Sequence, residues 1–173
     1  MRLSESTLRV EPLTDRHDRA SFSCGSDLLD RYLQRQAGQD LRKRVSAVFI
    51  LTDDGQRIAG YYTLSAHQFR VDDLPGEIAK KLPRYGVMPA TLLGRLAIAI
   101  PFQRQGLGEA LLLDCLERSL KNAKQVASWA VLVDAKNTDA AEFCRKHDFV
   151  AFPNQPDRLF LPIKHIDGLF DDE

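Results

Sequence analysis

Apolar and polar residues alternate along Leu8-Arg-Val-Glu-Pro-Leu13, the period of two expected of a half-buried strand, and the polar run Thr14 to Asp18 closes it. Beyond Phe22-Ser-Cys-Gly-Ser26 the period lengthens. Leu28, Leu29, Tyr32, Leu33, Gln36, Ala37 and Leu41 recur at helical spacing, and Ser26 stands where it can cap the first turn, which predicts a helix over about 26–43. Two β-branched runs, 45–52 and 57–66, flank Asp53-Asp54-Gly55-Gln56, whose Asp-Gly pair predicts an antiparallel hairpin. From Phe69 to Ala90 the pattern is broken by Pro75, Gly76, Pro83, Gly86 and Pro89, leaving room only for a short helix over 76–82. An insertion of that length in a small domain usually serves a site.

Thr91 to Ile100 is almost continuously apolar, as a central strand covered on both faces must be, and Pro101 ends it. Glu109 to Lys124 then sets Leu111, Leu112, Cys115, Leu116 and Leu120 on one side with charges opposite, an amphipathic helix. Ala130-Val-Leu-Val133 predicts another buried strand and 137–146 another helix, with Ala140, Ala141, Phe143 and Cys144 on its inner face. Two last strands, 149–152 and 159–161, are separated by Pro153-Asn-Gln-Pro156. The pattern predicts one domain of the α+β (α/β) class over 1–165 and an acidic C-terminal tail, 166–173, expected to fray.

Composition narrows the picture. The 173 residues and 44% hydrophobic content suit one core. Lys plus Arg equals Asp plus Glu at 24 each, so contact with a polyanion must come from a local patch rather than the overall field. Cys24, Cys115 and Cys144 form no CxxC pair, which argues against a disulfide framework or a zinc site, and no metal is expected. No apolar run approaches the roughly 18 residues that span a bilayer, and the first residues lack a signal-peptide core. A cytoplasmic protein without a membrane partner is expected.

The chemistry concentrates in Gln103-Arg104-Gln105-Gly106-Leu107-Gly108, between the central strand and the amphipathic helix. A turn that aims successive N–H groups at one point, followed by the positive end of a helix dipole, binds an anion, and a diphosphate is the natural occupant. Gly106 and Gly108 permit close approach of the backbone, and Arg104 adds charge. No lysine follows, so a nucleoside-triphosphate loop is excluded. Read alone, the glycine pair is equally a tight connection that needs positive φ.

The run Leu96-Ala-Ile-Ala-Ile-Pro-Phe-Gln-Arg-Gln-Gly-Leu-Gly-Glu-Ala-Leu-Leu112 resembles the acetyl-coenzyme A motif of the GNAT superfamily of N-acetyltransferases, [RQ]xxGx[GA]. Within it, Phe22 to Leu33, Gly60-Tyr-Tyr-Thr-Leu-Ser65, Leu93-Gly-Arg-Leu-Ala97, Val133-Asp-Ala-Lys136 and Leu159-Phe-Leu-Pro162 are similar to bacterial GNAT toxins that acetylate aminoacyl-tRNA. The resemblance implies a mixed, mostly antiparallel sheet flanked by helices and splayed at the central strand. It further implies that the backbone of Leu96, Ala97 and Ile98 pairs with the pantetheine arm of acetyl-CoA, and that Arg104, Gln105, Gly106, Leu107, Gly108 and Glu109 hold its diphosphate. Asn137, Ala140 and Phe143 would line the far wall, and a small ribbon-helix-helix antitoxin would be the protein partner. A homodimer is left open.

Acetyl transfer to an amine needs a donor for the developing oxyanion and an acid for the departing thiolate. The Ile98 amide can be the donor. In the toxins the acid is a tyrosine directly after the phenylalanine of the last family helix, and here that place holds Cys144. With a thiol pKa near 8.5 it is acceptable as an acid but short in reach, and a small buried cysteine is its other reading. Asp148 replaces the glycine that ends that helix in the family, which implies a left-handed aspartate. His147 is read as a helix-end residue, and His67 as close to the substrate side without further support.

Arg95, a charge in the central strand, needs either an internal partner or an outlet into a cleft, where a substrate phosphate would suit it. Arg42, Lys43 and Arg44 are either a solvated helix end or phosphate contacts, and Lys80, Lys81 and Arg84 form a second basic cluster. Tyr61, Tyr62 and Tyr85 are stacking surfaces or sheet packing. The resemblance makes aminoacyl-tRNA the expected acceptor. The competing readings are acetylation of a small or protein amine, and a binding module that has lost turnover with its tyrosine.

Overall fold

The computed structural model describes residues 7–83 and 86–170. Seven strands form one sheet in the order β1-β2-β3-β4-β5-β7-β6. They are β1 (Arg9–Pro12), β2 (Ala47–Thr52), β3 (Gly60–Arg70), β4 (Val87–Ile98), β5 (Ala130–Asp134), β6 (Val150–Phe152) and β7 (Gln155–Pro162). β1 and β2, β2 and β3, β5 and β7, and β6 and β7 pair antiparallel, whereas β4 and β5 are parallel. The expected mixed, mostly antiparallel sheet with flanking helices is therefore present, and the chain within it divides into two compact units.

The first unit comprises the residues up to Ser65 together with Gly94–Cys115. Ser26 caps α1 (Asp27–Arg31) by accepting from the Leu29 amide. The helix then widens into a π-turn, Tyr32–Gln36, before α2 (Ala37–Arg42), so the helix anticipated from periodicity is continuous but carries a bulge. That bulge stores Tyr32 and Leu33 inside, with the Tyr32 ring stacked on Tyr61 and the Tyr32 hydroxyl donating to Asp40. Tyr61 and Tyr62 are fully buried, so both are packing residues in this unit, and their hydroxyls donate to the Leu29 carbonyl and to Asp114.

The second unit comprises Ala66–Leu93 and the residues from Leu116 onward. Its core is aromatic: Phe69, Trp129, Phe152 and Phe160 meet ring to ring at 5.0–5.9 Å. The segment expected to be irregular from residue 69 is shorter than its proline content suggested, because β3 runs to Arg70 and β4 starts at Val87. Between them lie a single 3-10 turn, Val71–Asp73, and α3 (Gly76–Ala79). β7 likewise starts at Gln155, earlier than the periodicity indicated.

α4 (Leu107–Ala123) and α5 (Thr138–Lys146) match the two expected helices, α5 with Asn137 as its cap. The C-terminal expectation needs correction. Residues from 166 were read as a frayed acidic tail, yet α6 (Ile163–Phe170) is helical and buries Ile166 completely. Ile163, Ile166, Leu169 and Phe170 recur at helical spacing, a signal the reading of 166–173 as an acidic tail passed over.

Candidate active site

The parallel register of β4 on β5 runs from Ala90↔Ala130 to Leu93↔Val133, and β4 continues five residues beyond it to Ile98. Along that extension backbone groups alternate in direction. The Ala99 amide donates to the Ala59 carbonyl at 2.8 Å, and the Ala97 carbonyl lies 2.8 Å from where a Cβ on Gly60 would sit, so these odd-numbered residues face β3. Leu96 and Ile98 consequently turn their N–H and C=O groups to the opposite edge, whereas Ala97, expected to share in that edge, is directed at β3 because backbone groups alternate along a strand. Gly60 is required here, since any side chain would collide with main chain.

Sequence reasoning missed one residue of this region. Gln103 uses both hydrogens of its amide nitrogen, donating to the Ile98 carbonyl and to the Cys24 carbonyl, each at 2.9 Å. The Ile100 amide donates to the Ser23 carbonyl beside it. These bonds fasten the end of β4 to the segment that leads into α1 and occupy the Ile98 carbonyl, leaving the Ile98 amide as the edge group available for donation. The signal was present: Gln103 is the first residue of the glycine motif, but nothing in the motif says where its side chain turns.

After the 3-10 turn Ile100–Phe102 the loop alternates into the left-handed region at Arg104 (φ 65°) and Gly106 (φ 76°). Such alternation curls successive amides toward one side and makes a nest for an anion. Arg104, Gln105, Gly106 and Glu109 are exposed, and Leu107 and Gly108 half-buried, in the first turn of α4 or just before it. The first backbone bond of that helix runs from the Ala110 amide to the Gly106 carbonyl, so the amides ahead of it remain unspent. A Cβ on Gly106 would meet nothing within 4 Å; the glycine is there for its φ, not for space.

Arg95 resolves the question of its buried charge with a ring rather than a carboxylate. Its guanidinium lies 3.4 Å from the centroid of Tyr32, a cation–π arrangement in a half-buried setting. Burial, and the hydrogen bond to Asp40, raise the Tyr32 hydroxyl above its ordinary pKa, so the platform stays neutral. Arg42, Lys43 and Arg44 are all exposed at the end of α2, with Arg44 at φ 60°.

In the second unit, Asn137 caps α5 through its side-chain oxygen, accepting from the Ala140 amide at 2.8 Å. That oxygen is thus committed, while the amide group is not. Ala140 and Phe143 are half-buried. Cys144 is 4% exposed, and burial pushes its thiol up to about 11. The premise of an unperturbed thiol is therefore wrong in direction: desolvation makes Cys144 a weaker acid than a free cysteine. His147 sits at the end of α5 with its ring edge-on to Phe143 at 5.0 Å. Asp148 has φ 71°, the left-handed conformation expected of it, and its carboxylate lies 3.7 Å from His165. His67 lies within β3, half-buried. Lys80 and Lys81 are exposed at and after the end of α3, Lys80 being 3.9 Å from Glu77, while Arg84 and Tyr85 lie outside the described residues.

No group of three or more His, Cys, Asp or Glu able to hold a metal occurs among the described residues, and none of their helices is long and apolar enough to cross a membrane.

The profile of the acetyltransferase (GNAT) family matches residues 11–149. A probable toxin TacT of Sinorhizobium fredii is 31% identical over 169 residues, covering 92% of this chain and 93% of that protein. A tRNA-acetylating toxin of Mycobacterium tuberculosis is 33% identical over 160 residues, covering 92% and 95%. Among solved structures, a tyrosine-to-phenylalanine mutant of KacT has a TM-score of 0.88 at 31% identity, covering 95% of this chain and 99% of that one. AtaT complexed with acetyl-methionyl-tRNAfMet scores 0.87 at 30% identity, covering 94% and 99%. A tyrosine-to-phenylalanine mutant of AtaT bound to the C-terminus of the antitoxin AtaR and acetyl-CoA scores 0.81 at 27%, covering 95% and 99%.

Proposed function

This chain belongs to the acetyltransferase (GNAT) family, and from that premise we propose that it is an acetyl-CoA-dependent N-acetyltransferase whose acceptor is the amino group of an aminoacyl-tRNA. It would act in the cytoplasm as a toxin that blocks translation and is restrained by a small antitoxin. The observation that carries the reading is the bare edge of β4 running into a loop of unspent, left-handed amides, which fits an extended amide-bearing arm ending in a diphosphate. The relatives supply the acceptor.

Acetyl-CoA contributes an activated acyl group on a thiol leaving group. The amides of Arg104 to Glu109 would hold the diphosphate, with Arg104 adding charge, and the edge groups of Leu96 and Ile98 would align the arm. The Ile98 amide donates to the oxygen on which negative charge develops as the amine attacks. By the family resemblance, Asn137, Ala140 and Phe143 would contact the thiol end of the cofactor. For the RNA, Arg95 on its Tyr32 platform, Arg42, Lys43 and Arg44, and Lys80, Lys81 and Arg84 are the phosphate contacts.

The burial of Cys144 favours a second reading, a coenzyme A-binding module of low turnover, because nothing in α5 replaces a tyrosine hydroxyl at that place. One experiment separates them. The protein is incubated with radiolabelled acetyl-CoA and total charged tRNA, with a polyamine as control acceptor. Label on aminoacyl-tRNA is expected. Binding of acetyl-CoA without transfer to any acceptor establishes the module, and transfer to the polyamine alone replaces the acceptor.

A further inference from the structure

The first unit holds a pair of arginines far apart in sequence that share one spot. The Nη1 atoms of Arg19 and Arg42 approach to 2.6 Å and 3.4 Å of the point a Cβ on Gly38 would occupy. Gly38 lies inside α2, where glycine is disfavoured relative to alanine, and no positive φ requires it there. Its lack of a side chain is what lets the guanidinium of Arg19 settle on the helix. Neither arginine has a carboxylate within ion-pair distance among the described residues. The nearby carboxylate of Asp40 is already engaged, one oxygen with Tyr32 and the other with Gln36.

Two like charges brought to one small patch without a counterion repel, and a helix-interior glycine adds to the cost. An anion with several acceptor oxygens offsets both, since each guanidinium fork presents parallel N–H donors matched to phosphate. We propose that Arg19 and Arg42, over the floor of Gly38, form a phosphate-binding site, and that it takes a backbone phosphodiester of the RNA acceptor. The inference rests on the tRNA reading above and adds to it a specific two-armed contact. Lys43 and Arg44, exposed on the same helix end, extend the positive field along the strand.

The test uses the full chain and fluorescent tRNA, with affinity read by anisotropy across a salt series. Arg19→Gln with Arg42→Gln is expected to weaken tRNA binding about tenfold and to lower the slope of log affinity against log salt by about 1. Gly38→Ala is the sharper probe, because it displaces the Arg19 guanidinium without changing charge and with a better helix former in place. It is expected to weaken tRNA binding about threefold or more while the melting temperature holds or rises. Acetyl-CoA affinity, measured by calorimetry on the same variants, stays unchanged. Wild-type tRNA binding with no loss in any variant overturns this proposal alone. An equal loss of acetyl-CoA affinity overturns it by assigning the site to the cofactor, and loss of inorganic phosphate binding without loss of tRNA does so by assigning it to a free ion. A wild-type protein that binds no tRNA ends the acceptor reading and this site together.

Discussion

The glycine loop and helix α5 are built on opposite terms. The loop is a main-chain device: its amides are aimed by the left-handed turns at Arg104 and Gly106, and most of its side chains are exposed. α5 turns side chains inward, among them a buried Cys144, and the family resemblance leads one to expect a tyrosine at that place and a glycine at Asp148. Asp148 takes the left-handed conformation that such a glycine would, at φ 71°. Cys144 is buried, and that burial makes its thiol a weaker acid than a free cysteine.

The largest effect should come from breaking the loop. Gly106→Val puts a β-branched residue at φ 76°, a strain of about 1–3 kcal/mol, so acetyl-CoA affinity should fall about 10- to 100-fold by calorimetry. Because a Cβ there meets nothing, an unchanged affinity would mean that the turn does not shape the site. Gln103→Met removes both donors at nearly constant size. It should lower kcat about tenfold with a smaller change in the KM for acetyl-CoA, since what is lost is the set of the Ile98 edge rather than a ligand. Gln103→Arg, which still donates and satisfies the motif, should restore most of the rate, and a pure KM effect would instead make Gln103 a cofactor contact.

The smallest effect is expected at Cys144. Cys144→Ala should leave kcat within about threefold, well short of the hundredfold or more that loss of a working general acid costs. A drop of that larger size would reinstate the thiol as the acid. The pH dependence of stability gives an independent check. The folded thiol titrates near 11 against 9.0 for a free one, so its neutral form is favoured by folding. That contribution is complete below pH 9, and it is lost as pH rises toward 11. Cys24 is pushed up to about 11 as well, chiefly by burial and also by its hydrogen bond to Asp30, and adds a second loss in the same window. Chemical denaturation from pH 8 to 11 should show an alkaline fall that Cys144→Ala partly removes.

Most elements were legible from spacing alone because each rests on neighbours within one or two turns. The strand, glycine loop and helix order around residues 91–124 follows from local periodicity, and Gly106 announces a positive φ that only its backbone can supply cheaply. The proposal that the loop binds an anion needs no more than that. The left-handed Asp148 was expected too, though from the family resemblance rather than from spacing.

What the sequence could not contain is the meeting of distant side chains. The bond from Gln103 to Cys24 spans 79 residues, Arg95 finds a ring instead of a carboxylate, and Arg19 reaches Gly38 from outside the helix. The depth of Cys144, and with it the direction of its pKa, is set by what packs over α5 rather than by residues beside it in the chain. Local pattern determines which backbone is extended or helical because those preferences act between neighbours. Desolvation and partner choice depend on residues that only folding brings together, and so they were decided by the tertiary structure.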